Sequence, residues 1–249
     1  MKPYYSHEGI EIYHGDAREG IQSVGAFDST ITSPPYNLNT RVNQKRKFIS
    51  RQIVNDEFST KYGQYDDNLH PDEYYEMTSE ILTQCLSVSE KVFWNVQLAT
   101  GNKLALFKMM AEYGDTLKEI AIWDKGAAQP AMKERTFNSV FEFILIFDNH
   151  DPLVRQFNEA QFPRGEMDNV WRVPRSRSVS KTHKATYPIE LVEKCFQVHK
   201  PNRVLDPFMG SGTTLDAARN NGIDAVGFDI DESYCEIAAK RLEQQIMNF

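Results

Sequence analysis

Asp206-Pro207-Phe208-Met209-Gly210-Ser211-Gly212-Thr213-Thr214 is the stretch on which the fold of this chain turns. It follows the short apolar run Arg203-Val204-Leu205 and precedes Leu215-Asp216-Ala217-Ala218-Arg219, so it reads as a strand, a tight glycine turn and a helix start. Gly210 and Gly212 carry no Cβ and are free to adopt φ > 0, which lets main-chain N–H groups line a cavity. Thr213 and Thr214 are placed to cap the helix. The plainer reading is a turn that only packs a helix onto a sheet. The next strand, Asp224-Ala225-Val226-Gly227-Phe228-Asp229-Ile230, weighs against it, because Asp229 stands at a strand end where nucleotide-type folds hold ribose hydroxyls. No Lys follows Gly212, so the phosphate-cradling loop of ATPases is disfavoured, and Asp206 and Asp229 would repel a pyrophosphate. A ribose-bearing ligand of positive charge fits better; S-adenosylmethionine is one.

The chain has 249 residues, 41% of them hydrophobic, enough for one large core, and the expectation is a single domain over 1–249. No apolar run approaches a membrane span, and Met1-Lys2-Pro3-Tyr4-Tyr5-Ser6-His7 lacks the apolar centre of a signal peptide. Cys85, Cys195 and Cys235 are scattered, which fits buried small hydrophobes in a reducing cytoplasm rather than a disulfide framework or a metal site. Asp148-Asn149-His150-Asp151 has no further His or Cys at ligand spacing, so no metal is expected.

The net charge of -7 argues against nucleic acid, but its distribution argues for it. Arg41, Lys45, Arg46, Lys47 and Arg51 lie in an acid-free stretch, within a basic loop expected at about 38–66. Arg172, Arg175, Arg177, Lys181 and Lys184 lie in another. Two basic loops on an acidic body make a phosphate-binding footprint, although a charge run is often only a solvated face.

The chain opens with the alternating strand Gly9-Ile10-Glu11-Ile12-Tyr13-His14, then Gly15-Asp16. Gly-Asp is ordinary turn chemistry, yet ligands of open parallel sheets collect at the carboxyl ends of strands, which puts Asp16 beside Asp229 as an acceptor for an adenine amino group. A second strand, Ala26 to Thr32, runs into Ser33-Pro34-Pro35-Tyr36-Asn37. The prolines fix φ twice and leave the carbonyls around Ser33 and Pro34 facing outward beside an aromatic ring that can lie flat on a nucleobase.

Together these motifs resemble the amino-directed DNA methyltransferases, which methylate cytosine N4 or adenine N6, in the permuted order called the beta class. There the [Asp/Asn/Ser]-Pro-Pro-Tyr tetrapeptide precedes the donor motif, as Ser33-Pro34-Pro35-Tyr36 precedes Asp206-Pro207-Phe208-Met209-Gly210-Ser211-Gly212-Thr213-Thr214. The resemblance covers nearly the whole chain. It implies a Rossmann-like S-adenosylmethionine-dependent fold, a mostly parallel twisted sheet with helices on both faces in circularly permuted order. It implies catalysis by Ser33, Pro34, Pro35 and Tyr36, with donor binding by Asp16, Asp206, Pro207, Phe208, Gly210, Gly212, Thr213 and Asp229. His183-Lys184-Ala185-Thr186-Tyr187-Pro188 resembles the segment upstream of the donor loop, with Lys184 in place of its first proline; Thr186 joins the donor set from there. The segment at about 148–182 stands where the family reads its target, so Arg175 and Arg177 are assigned to DNA alongside the basic loop. The partners implied are double-stranded DNA with a flipped base, a second copy in some members and a cognate restriction enzyme in others.

Ser at the first tetrapeptide position goes mostly with cytosine N4 in that family and Asp with adenine N6, so cytosine N4 is expected and adenine N6 is the alternative. Cytosine C5 chemistry needs a nucleophilic Cys, usually after a Pro, and no cysteine here follows a proline. The rivals are a catalytically silent DNA-binding relative and a methyltransferase for RNA, free bases or protein amines. For the scaffold the spacing predicts helices over Pro71 to Val88 and Asn102 to Tyr113, strands over Lys91–Val96, Leu117–Trp123 and Val140–Phe147, and an aperiodic loop from Asp148 to Lys181.

Overall fold

The computed structural model describes residues 1–37, 69–127, 134–175 and 187–244. Among these, nine strands form one sheet: β1 (Tyr5–His7), β2 (Ile10–His14), β3 (Phe27–Thr32), β4 (Ser89–Val96), β5 (Leu117–Asp124), β6 (Phe141–Asp148), β7 (Val170–Arg172), β8 (Arg203–Asp206) and β9 (Asp224–Asp229). Their spatial order is β1-β2-β9-β8-β3-β4-β6-β5-β7. The central five, β2 to β4 in that order, run parallel. β1 and β6 are antiparallel to their neighbours, and β7 lies parallel to β5 at the far edge. This is the Rossmann-like, mostly parallel arrangement expected.

Parallel strands need crossovers, and helices supply them. α1 (Ala17–Gly20) lies between β2 and β3, α2 (Pro71–Val88) between β3 and β4, and α3 (Lys103–Glu112) after β4. α4 (Ile189–Val198) precedes β8, α5 (Thr213–Asn220) joins β8 to β9, and α6 (Glu232–Gln244) follows β9. Side chains alternate across the sheet as a strand requires. Ile31, Phe93, Ile144, Ile146 and Val204 enter the core shared with α4, α5 and α6. Val92, Trp94, Leu145, Phe147 and Leu205 enter the one beneath α2 and α3. Both faces are covered.

Helix α2 has the predicted bounds. Pro71 occupies its first turn, and His70 caps it while the Glu73 side chain answers the His70 N–H. Tyr74, Tyr75, Thr78, Ile81, Leu82 and Cys85 form its buried face. Asn102 proves to be the cap of α3 rather than its first residue, and the strand expected to end at Phe147 runs from Phe141 to Asp148. The loop after Asp148 is not wholly irregular. β7 sits inside it, with Ile122 opposite Val170, and three residues are too few to show alternation in sequence. All three cysteines are free and buried. No helix among the described residues is long and apolar enough to cross a membrane.

The chain leaves β8 toward β9 on one side, while β3 leads to β4 on the other. A crevice therefore opens above the carboxyl ends of β8 and β3, the switch point where ligands of such sheets bind.

Candidate active site

Both motifs are delivered to that crevice by neighbouring strands. β3 and β8 pair through Ser29 opposite Val204 and Thr30 opposite Leu205, so Thr32 and Asp206 end side by side. Thr32 Oγ1 donates to Asp206 Oδ1 at 2.7 Å, one residue before the Ser33 tetrapeptide. Two segments more than 170 residues apart are thus hydrogen-bonded at the root of both loops.

The carboxylate of Asp206 is buried and fully engaged. Oδ1 also accepts from Phe208 N at 3.1 Å, and Oδ2 accepts from Thr214 Oγ1 at 2.6 Å and Tyr187 Oη at 3.0 Å. Burial pushes its pKa up, against the pull of those bonds. Assigned from sequence to the donor, Asp206 is instead the pin under the loop, since all four of its acceptor directions go to protein. The threonines serve the same end. Gly212, in the left-handed region at φ 77°, is the residue that caps α5. Thr213 Oγ1 accepts from Arg241 of α6 at 3.1 Å, so neither threonine acts as the expected cap.

Asp229 is placed differently. Its Oδ2 accepts from Gly210 N at 3.0 Å and its Oδ1 from Asp231 N at 2.9 Å, which leaves each oxygen a further lone pair. Burial raises its pKa to about 6. Gly210, at φ 50°, has open space where a Cβ would stand, so the loop can be approached closely there. Asp16 lies at the same rim, because Gly15 N donates to Asp229 O and His14 pairs with Asp229 across the sheet. Its side chain caps α1 through Arg18 N at 2.9 Å and pairs with the Arg18 guanidinium. Burial alone would raise the Asp16 pKa, and the bonds from Arg18 outweigh it and bring it down.

The tetrapeptide is held from several sides. Tyr74 of α2 donates to Pro35 O at 2.8 Å. Asn37, left-handed at φ 51°, donates to Leu69 O and Gly101 O at 3.0 Å each and accepts from Leu69 N. A Cβ on Gly101 would stand 1.9 Å from Asn37 O, so that approach demands glycine. Phe208 of the glycine loop meets Trp94 of β4 edge to face.

Beneath Ser33 and Tyr36 lies a polar cluster that the sequence reading missed. Ser33 Oγ and Tyr36 Oη are 2.8 Å apart, and Tyr36 Oη donates to Glu142 Oε2 at 2.6 Å. Asn95 Nδ2 reaches Tyr36 Oη at 2.8 Å and Glu142 Oε2 at 2.9 Å. Lys125 Nζ holds Glu142 Oε1 at 3.0 Å, and both residues are 2% exposed. Burial lowers the Lys125 pKa, and Glu142 opposes that. The only sequence signal was a polar residue inside two apolar strand patterns, Asn95 in β4 and Glu142 in β6; Lys125 follows the end of β5. Arg175, assigned to DNA, has NH2 3.5 Å from Glu142 Oε1 with about half its side chain exposed. Arg41, Lys45, Arg46, Lys47, Arg51, Arg177 and Thr186 lie outside the described residues.

A glycine turn, the acid Asp229 and a Pro-Pro loop thus meet at one switch point of a doubly wound sheet. A family model described as DNA methylase, of the N6/N4 type, matches residues 27–240. M.ScaI, a type II methyltransferase of Streptomyces caespitosus, is 27% identical over 98% of this chain and 84% of its own length. The cytosine-N4-specific PvuII DNA methyltransferase superposes with a TM-score of 0.68 at 18% identity, over 96% of this chain and 88% of that one. The DNA modification methylase TTHA0409 of Thermus thermophilus, complexed with S-adenosyl-L-methionine, gives 0.58 at 21% identity, over 96% of each chain. The chain belongs to the N4/N6 DNA methylase family: it is a DNA methyltransferase directed at an amino group.

Proposed function

We propose that this protein transfers a methyl group from S-adenosylmethionine to the exocyclic N4 of a cytosine flipped out of duplex DNA. The observation that carries this reading is the Thr32–Asp206 bond, which sets the Ser33 loop and the glycine loop at one rim. When bound, S-adenosylmethionine supplies an electrophilic methyl on a cationic sulfur. The residues present suit such a donor: Asp229 offers free lone pairs to ribose hydroxyls, the backbone at Gly210 is open, and the rim acids favour a cation.

An exocyclic amine is a poor nucleophile because its lone pair is delocalised into the ring. Ser33 Oγ and the Pro34 carbonyl accept its two protons and turn that lone pair toward the donor. Among the described residues the Pro34 carbonyl has no other hydrogen-bond partner. Holding the reactants in line supplies ~7–11 kcal/mol of the barrier. Flipping costs a few kcal/mol, of which stacking on Tyr36 returns ~1–3 kcal/mol. Ser33 in place of an acid supports cytosine N4. The basic loop at about 38–66 and the segment at about 148–182, with Arg175 and Arg177, complete the DNA-binding face of one domain.

Nucleoside mass spectrometry of DNA from cells expressing the protein tests this directly. N4-methylcytosine is the expected product. N6-methyladenine would move the assignment to the other base, and unmodified DNA would sink the reading.

A further inference from the structure

Methyl transfer to an amine leaves one proton too many on nitrogen, and the structure holds a path for it. We infer that Glu142 receives this proton through the hydroxyls of Ser33 and Tyr36, an inference that rests on the methyl-transfer reading above.

The polarity of the path follows from the donors. Tyr36 has one hydroxyl proton, and it is directed at Glu142 Oε2 over 2.6 Å. Its oxygen must then accept from Ser33, 2.8 Å away, and from Asn95 Nδ2. Ser33 therefore points its own proton inward; of its two lone pairs one accepts from Asn95 Nδ2 at 3.3 Å and the other is left for the amine of the target base. Two hydrogen bonds, Ser33 to Tyr36 and Tyr36 to Glu142, are aligned in one direction before substrate arrives, and the amine adds the third.

The end of this hydrogen-bond chain lies against two basic side chains, with Lys125 Nζ 3.0 Å from the other Glu142 carboxylate oxygen and Arg175 3.5 Å from it. Burying this pair is costly, and a core of hydrophobic residues would be at least as stable. Asn95 adds to that cost. Its Oδ1 is one of two buried side-chain atoms among the described residues with no hydrogen-bond partner, because Nδ2 must face Glu142. Polar groups kept under such a penalty next to a catalytic loop point to a role in the reaction.

The step balances. The amine nitrogen bonds to the methyl carbon as the carbon–sulfur bond breaks, and the sulfur keeps that electron pair and becomes a neutral thioether. The nitrogen releases a proton to Ser33 Oγ, Ser33 passes its own to Tyr36 Oη, and Tyr36 passes its own to Glu142 Oε2, which becomes a neutral acid. An amine nitrogen carrying four bonds is a strong acid, since losing the proton restores delocalisation into the ring, so an ordinary carboxylate suffices. Glu142 and Tyr36 act through Ser33, and Glu142 is thus a positioning and proton-accepting residue rather than one that touches substrate.

Single-turnover transfer on the full-length protein tests this, with duplex DNA carrying a mismatched target base. Tyr36→Phe keeps the ring and cuts the path, while Glu142→Gln keeps an acceptor for Tyr36 and removes the proton sink. Each is expected to slow transfer roughly a hundred-fold, with donor and DNA binding unchanged. The double variant is expected to be no slower than the slower single one, because both cut one chain. In either variant the residual rate should climb with pH as hydroxide replaces the lost acceptor, where the wild type stays flat. Tyr36→Phe also serves should Glu142→Gln, which strands Lys125, fail to fold. Active wild type with Tyr36→Phe at the same rate, or losses that multiply in the double variant, overturns the relay alone. Wild type that methylates nothing sinks the functional reading and the relay with it.

Discussion

Asp206 and Asp229 flank one glycine turn, both are buried or nearly so, and burial raises the pKa of both. Their work differs. Asp206 has every acceptor direction filled by Thr32, Phe208, Thr214 and Tyr187, whereas Asp229 meets two backbone N–H groups and keeps room for hydroxyls. The family resemblance placed both in the donor set, Asp206 in the loop and Asp229 at the ribose, because sequence records which strand ends carry acids but not which groups fold over them. Asp229 titrates at about 6 in the folded protein against 3.8 for the free side chain. Within that window the native state holds a proton that the unfolded chain has released, so this group's contribution to stability falls as pH rises. If Asp229 meets the ribose as proposed, donor affinity should run the opposite way, since it would accept those hydroxyls as the anion. Calorimetric titration is expected to show S-adenosylmethionine binding tightening about ten-fold from about pH 5 to about pH 7. Asp229→Asn should bind weakly and lose the pH dependence; an unchanged profile in that variant would place the titration elsewhere.

The glycine turn shows how one element serves both packing and site. Gly212 has φ 77°, and a Cβ there would stand 2.9 Å from Ala238 Cβ on α6. Gly210 has φ 50° and open space. Left-handed strain costs a non-glycine residue about 1–2 kcal/mol at either position, but only at Gly212 does a side chain also push on a neighbouring helix. Gly212→Ala should therefore lower the melting temperature by clearly more than the ~2–4 °C that about 1 kcal/mol represents in a chain of this size. Gly210→Ala should melt near that smaller shift and lose donor affinity instead. Equal melting temperatures would contradict the packing role given to Gly212. The turn was legible because glycine spacing is a local property. Its partner α6 was not, since contact between Gly212 and Ala238 depends on how two helices cross.

Charge is spread unevenly over the whole molecule, and the net charge of -7 conceals it. The acid-free stretch containing Lys45, Arg46 and Lys47 follows the Ser33-Pro34-Pro35-Tyr36 loop closely in sequence. If it contacts phosphates, replacing all three with Ala should reduce the slope of log affinity against log salt by about 2 to 3, near 0.9 for each lost contact. Fluorescence anisotropy with labelled duplex across a salt series measures this, and an unchanged slope removes these residues from the DNA-binding face. The longer central strands and helices, the glycine turn, the stiff Pro-Pro loop and the family they resemble could be read along the chain, because each depends on neighbours within a few residues. Folding alone settled that Thr32 lies on Asp206, that Thr213 accepts from Arg241, and that Asn95, Lys125 and Glu142 converge under Tyr36. Asn95 and Glu142 sit on β4 and β6 and Lys125 follows β5 directly, and the adjacency of these strands arises from strand order in the sheet. A single polar residue within an apolar run has no partner until parallel and antiparallel pairing brings one beside it.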